Sequence, residues 1–280
     1  MRLIFILPYR TPAVNLGFVS RDFVTNGKKN GQLKGIEVDI DEGLLIESTS
    51  ATRDEEVPAK KHSVVGLTEE DVANVTVGII KKAREYSEMG KYDAIVCTGG
   101  LDPGFAAVRQ VSKIPVAFAL HSSVHVASLI GERFSIIQGA FSSALMMRHG
   151  VERYGLGHKL ASVRCYEYSV SYVQGFISKY KKDERIKVPE GKELITDITA
   201  QCITAIEKDR VDSLVFPSEP TQVLAAEVRQ MLDEAGYDEI PIICGLPAAV
   251  AVVKAMVEMK LLKTPRAYPT YALRAKPEYW

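Results

Sequence analysis

The sequence predicts an α/β protein built on parallel sheets, folded as two related halves. Two observations carry this reading. Short β-rich runs alternate with longer helical runs, the pattern of right-handed βαβ crossovers. In addition, "KYDAIVCTGG" in the first half is answered by "RVDSLVFPSE" in the second. Each copy has an aspartate (Asp93, Asp212), a buried strand and a loop, followed by an "IP" strand and an alanine-rich helix, "IPVAFALHSSVHVASLI" and "IPIICGLPAAVAVVKAM". The halves expected from the repeat are residues 1–119 with a C-terminal return over 245–280, and residues 120–244. Two matching βα halves place the loops after their strands opposite one another across a cleft, where ligands bind in open α/β sheets.

The elements follow in order. "RLIFIL" (2–7) and "GIEVDID" (35–41) read as strands. "LTEEDVANVTVGIIKKAREYSEMG" (67–90) is an amphipathic helix with Thr68 as N-cap, Asp71 three residues on and Gly90 at its end. Strands follow over 93–98, 114–120, 133–139, 160–168, 213–218 and 240–245, and helices over 103–112, 123–131, 143–157, 193–210, 220–236 and 246–262. The opening run is short, and no small-residue cleavage site follows it, so it reads as a first strand rather than a signal peptide.

Composition excludes several classes. The chain has 280 residues, 46% hydrophobic and 25% charged, which suits a packed globular protein and not a disordered one. Lys plus Arg and Asp plus Glu each number 35, so no net charge recommends nucleic acid or an anionic membrane as partner. No apolar run approaches the ~20 residues of a membrane span. The four cysteines, Cys97, Cys165, Cys202 and Cys244, have no CxxC or metal-ligand spacing, and a reduced cytoplasmic protein is expected.

Candidate chemistry gathers on the two repeated loops. "TGGLDPG" lacks the lysine of a phosphate-binding P-loop and is not GxGxxG, which argues against a nucleotide cradle. Gly99 and Gly100 bare backbone N–H groups before a helix, able to hold a carboxylate or an enolate oxygen; the alternative is a turn that needs glycine. Thr98 and Ser218 add hydroxyls from opposite halves, and Ser218 also reads as a helix cap. Glu219 is the carboxylate of the second loop, or a charge favourable to the helix dipole. Cys97, two residues before Gly99, reads as a small core residue or a displaced thiol. His121 is expected in a loop and is weighed as a site residue; with His125 it makes two histidines and no third metal ligand. In "PYRTP", near the first strand, Tyr9 is weighed as a substrate contact, and Arg10 could clamp a carboxylate or stay solvated.

Four blocks carry a resemblance to the aspartate/glutamate/hydantoin racemase superfamily, strongest to its hydantoin racemase branch: "DPGFAAVRQ", "HVASLIGERFSII", "VERYGLGHKLASVR" and "GLPAAVAVVKAMV". The likeness runs from about Arg2 to Tyr271, with an unmatched stretch around 26–66. It implies two flavodoxin-like halves about a pseudo-twofold axis, with the active site between them. It also implies cofactor-free proton transfer by two facing thiols. Six residues beyond the repeated aspartates, where the resemblance places those thiols, this chain has Gly99 and Ser218. A branch resembling arylmalonate decarboxylase has glycine at the first position but keeps the second cysteine. "PYRTP" stands where hydantoin racemases carry an Asn-Pro-Asn-Thr turn; Pro8 matches, whereas Tyr9 and Arg10 do not.

The expectation is a metal- and cofactor-free enzyme moving a proton next to a carbonyl in a small carboxylate, amino-acid derivative or hydantoin. The alternatives are a diverged decarboxylase or lyase, and a non-catalytic binding protein that kept the cleft. The expected partner is a small carboxylate or cyclic imide, with no nucleic acid or membrane, and a homo-oligomer is expected.

Overall fold

The computed structural model describes residues 1–10, 17–45, 67–139 and 141–269. The first half comprises β1 (Arg2–Ile6), β2 (Tyr9–Arg10), α1 (Gly17–Lys29), β3 (Glu37–Asp41), β4 (Leu44–Leu45), α2 (Glu69–Glu88), β5 (Ala94–Cys97), α3 (Phe105–Val111) and β6 (Val116–Phe118). Its sheet is parallel, in the order β3-β1-β5-β6, and β2 pairs with β4 as a small extension. The second half begins with α4 (Ala119–Ile130), β7 (Phe134–Gln138), α5 (Phe141–Arg153) and β8 (Leu160–Cys165). It continues through α6 (Val170–Lys179), α7 (Lys182–Arg185), α8 (Pro189–Asp209), β9 (Ser213–Phe216), α9 (Glu219–Val223), α10 (Ala225–Glu234) and β10 (Ile242–Cys244), after which the chain returns to the first sheet as α11 (Gly245–Glu258). Its parallel sheet runs β10-β9-β7-β8, so each half has its first strand between its second and its third.

The repeated aspartates explain how each half starts. Asp93 accepts the Arg2 N–H at 2.6 Å and returns its own N–H to the Arg2 carbonyl at 2.8 Å. Asp212 does the same at the start of β7, accepting from Glu132 and Arg133 N–H at 2.6 and 3.0 Å and donating to the Arg133 carbonyl at 2.9 Å. The repeat therefore encodes a clamp between the first and third strands at the edge far from the cleft. At α2 the capping box is complete: Thr68 N–H donates to Asp71 Oδ2 at 2.9 Å and Asp71 N–H to Thr68 Oγ1 at 3.3 Å.

Strands buried on both faces read as continuous apolar runs, and alternate residues feed different cores. On one face of the first sheet Ile4, Ile6, Ile95 and Phe118 pack with α2 and α3. On the other, Leu3, Phe5, Ala94, Val96 and Ala117 pack with Leu246, Ala249, Val250 and Val253 of α11. In the second sheet Phe134, Ile136 and Val215 pack with Leu120, Val124 and Ala127 of α4. The helix that leaves each sheet thus covers the other one. The opposite face of the second sheet packs on α6, α8 and α10, and Leu7 of the first half joins that core.

Some elements differ from the sequence reading. Helix α4 begins at Ala119, so His121 lies in its first turn and not in a loop. The helix expected over 220–236 breaks at Leu224 into α9 and α10. Helices α1, α6 and α7 and the β2–β4 pair had no counterpart in that reading, because tertiary contacts outweigh weak local patterning there. Residues 270–280 of the C-terminal return lie outside the described residues. Among the described residues no helix is long and apolar enough to cross a membrane.

Candidate functional site

In a doubly wound sheet the crevice opens where strand order reverses. In the first sheet that point lies between β1 and β5, so the chain after β1 (Pro8, Tyr9, Arg10) meets the loop after β5 (Thr98, Gly99, Gly100). In the second it lies between β7 and β9, beside Pro217, Ser218 and Glu219. These two points face each other. A Cβ placed on Gly100 would lie 3.3 Å from both Ser218 Cβ and Ser218 N, and 3.0 Å from Met147 Cε, so the loops touch across the halves.

Glu219 is the central group. It opens α9 with 1% exposure, and its carboxyl points to the opposite half. Burial raises its pKa; Thr98 and the Gly99 N–H pull the other way, but burial outweighs them. The approach falls short of well-formed hydrogen bonds, since Glu219 Oε1 and Thr98 Oγ1 are buried without a partner among the described residues. Such atoms retain capacity for a ligand. Ser218 occupies the N-cap position of α9, with φ −91° and ψ 144°, yet its side chain makes no capping bond. Its Oγ instead lies 3.1 Å from Thr221 Oγ1.

Gly99 has φ +92°, a left-handed conformation that side chains disfavour, and a Cβ there would meet Pro8 Cγ at 3.1 Å. The turn requires glycine here, and the Gly99 N–H faces the Glu219 carboxyl. Tyr9 is buried against the first core, and burial, then the charges of Glu219 and Asp71, push its phenol upward. Arg10 follows on the same two-residue strand, so its side chain leaves by the opposite face. It is half-buried and has no ion pair among the described residues. The rest of the "PYRTP" turn lies outside the described residues.

Cys97 ends β5 directly before Thr98, and the His121 N–H is held by Asp102 of the same loop; the side chains of both lie in packed surroundings. Cys97 is packed among Ile4, Ile6 and Phe118, and its thiol is pushed upward by burial and then by Asp102, so it stays protonated. Cys244 ends β10, and burial raises its pKa to about 12. The His121 ring packs on His125, Phe105 and Tyr154 with centroids at 4.2, 4.7 and 4.8 Å. Burial, Arg109 and His125 hold it down at about 3, a neutral imidazole. No group of three or more His, Cys, Asp or Glu able to hold a metal occurs among the described residues.

Three contributors escaped the sequence reading. Asp102, with φ +49°, accepts the N–H groups of Leu120 and His121 at 3.0 and 2.6 Å and the Tyr154 hydroxyl at 2.8 Å. It thereby pins the first loop to the start of α4. Gln222 Oε1 does the matching work in the second half, accepting Leu246 N–H of α11 at 3.1 Å. Tyr166 meets Thr221 at 2.9 Å from beneath the second loop. All three act on residues distant in sequence, and only the "DPG" of the first loop gave any local hint.

The profile of the family described as Asp/Glu/Hydantoin racemase matches residues 57–268. A hydantoin racemase of Pseudomonas sp. (strain NS671) is 24% identical over 206 residues, 72% of this chain and 72% of that one. Among solved structures, the chain is similar to an allantoin racemase from Klebsiella pneumoniae, with TM-score 0.66 and 20% identity, over 94% of this chain and 90% of that one. It is also similar to the allantoin racemase of Pseudomonas fluorescens, with TM-score 0.68 and 15% identity, over 96% and 97%.

Proposed function

The chain belongs to the Asp/Glu/hydantoin racemase family, and on that premise we propose that it is an enzyme moving a proton at a carbon next to a carbonyl. The substrate class is a small carboxylate, amino-acid derivative or hydantoin. One observation carries the reading: the fully buried Glu219 carboxyl, its pKa raised, aimed at Thr98 and Gly99 of the opposite half. A carboxyl raised toward neutrality is suited to general acid–base work. Glu219 takes the part of the proton carrier, while the Gly100 N–H and the Ser218 hydroxyl hold the enolate oxygen as charge develops on it.

A second reading, a decarboxylase or related lyase, is favoured by the makeup of the facing loop. Racemisation through two faces needs a second proton carrier; Thr98, Gly99 and Gly100 have no titratable side chain, and Asp102 of the same loop is engaged by Leu120, His121 and Tyr154. A one-sided reaction needs none. The C–C bond electrons remain as an enolate while carbon dioxide leaves. Glu219 then gives its proton to the carbon, and water reprotonates the carboxylate.

The test is solvent exchange. With a 5-substituted hydantoin and an arylmalonate in deuterium oxide, deuterium should enter the carbon next to the carbonyl. Glu219→Gln should slow this by roughly 10²–10⁴-fold, and thiol alkylation should leave it unchanged. Exchange of both enantiomers that alkylation abolishes would instead assign the reaction to a thiol.

A further inference from the structure

The Ser218 hydroxyl sits where a helix cap belongs and does not cap. What holds it is a line of hydroxyls. Tyr166 Oη lies 2.9 Å from Thr221 Oγ1, and Thr221 Oγ1 lies 3.1 Å from Ser218 Oγ. Tyr166 and Thr221 are buried at 1% and 0% exposure, whereas Ser218 is half-buried, so the line runs from the core outward to the facing loops. Gly139 makes room for it: a Cβ there would stand 2.8 Å from the Tyr166 hydroxyl.

The direction of the hydrogens follows from counting. A hydroxyl gives one hydrogen and accepts others. Tyr166 has no acceptor besides Thr221 among the described residues, and leaving a buried donor unmade would cost about 1–3 kcal/mol. Burial also keeps the phenol protonated. Tyr166 therefore donates to Thr221. Thr221, its oxygen already accepting, has Ser218 as its one other partner among the described residues and donates to it. Ser218 Oγ then accepts from behind, and its own hydrogen points away from Thr221.

We propose that Tyr166 and Thr221 are positioning residues that fix Ser218 as a one-way hydrogen-bond donor to a ligand oxygen at the facing loops, and that Ser218 is neither a cap nor a base. A serine base or nucleophile would need a neighbour to take its proton; here the neighbour presents a hydrogen. The proposal rests on the reading that the facing loops are the site, and it deepens that reading by assigning donor character to Ser218 in either reaction.

Two measurements decide it. Neutron diffraction from deuterium-exchanged crystals should place the Tyr166 deuterium on the Thr221 side and the Thr221 deuterium on the Ser218 side. The Ser218 deuterium should point away from Thr221. A Ser218 deuterium lying on Thr221 overturns the proposal whatever the enzyme does. In the second, calorimetry with 5-methylhydantoin as probe compares the parent with Ser218→Ala, Thr221→Val, Thr221→Ser and Tyr166→Phe. Ser218→Ala and Thr221→Val should each weaken binding about tenfold, and Tyr166→Phe by several-fold. Thr221→Ser should restore binding to within about twofold of the parent. Parent-like affinity in Thr221→Val, with Ser218→Ala impaired, would overturn the positioning role. If no protein exchanges a substrate proton, the functional reading fails by itself, while the hydrogen directions and the affinity series still decide this proposal.

Discussion

Gly99 and Glu219 face one another, and each is explained by the other. The glycine takes a backbone conformation that a side chain strains, and in doing so turns an N–H toward a buried carboxyl, beside the Thr98 hydroxyl. A thiol cannot simply be returned to this loop. Gly99→Cys would place a Cβ at φ +92° and 3.1 Å from Pro8 Cγ. The expected result is a loss of about 1–3 kcal/mol in urea unfolding, with no alkylation-sensitive proton exchange gained. A variant as stable as the parent that acquired such exchange would show the loop to be a relaxed scaffold for a thiol.

At the scale of elements, one helix start decides how the first loop is held. Helix α4 follows β6 directly, and its N-cap, Phe118, has no capping side chain. Asp102 supplies the missing acceptors from the loop after β5 and receives the hydroxyl of Tyr154, just past the end of α5, as well. Burial carries its pKa from 3.8 to about 7 even against these donors. Because the folded value is raised, the native state binds the proton more tightly than the unfolded chain does. That stabilisation is complete below about pH 4 and is lost as pH rises through about 7. Asp102→Asn removes the titration. Its destabilisation relative to the parent should therefore be larger at pH 5 than at pH 8 in denaturant unfolding. An equal difference at both values would mean that Asp102 is ionised throughout.

At the scale of the molecule, the exchange of covering helices binds the halves into one unit. Leu246, Ala249, Val250 and Val253 lie on α11, which follows the last strand of the second sheet and roofs a face of the first. At roughly 1.5–3 kcal/mol per large buried side chain, their removal forfeits an amount comparable to the whole stability of an ordinary domain. A chain ending at residue 244 should fail to fold cooperatively, and the full chain should unfold in a single transition. A truncated protein with a native-like melting transition, or two separate transitions in the full chain, would count against this coupling.

Sequence alone determined the parallel α/β architecture and the pairing of the halves. Both are written in local periodicity and in a repeat that extends from Asp93 and Asp212 through the "IP" strands. It also marked Thr68 with Asp71 as a helix start, and drew attention to Gly99, Ser218 and Glu219, because strand ends and loop composition are local signals. It left undecided whether Ser218 caps a helix, whether Glu219 is buried, and where His121 lies. Tertiary structure decided these. Asp102 starts α4 before His121, Tyr166 and Thr221 draw Ser218 from its cap, and closure of the two halves removes water from Glu219. Each depends on residues far apart in the chain, and a pattern that reads neighbours carries no record of contacts made only when the two sheets meet.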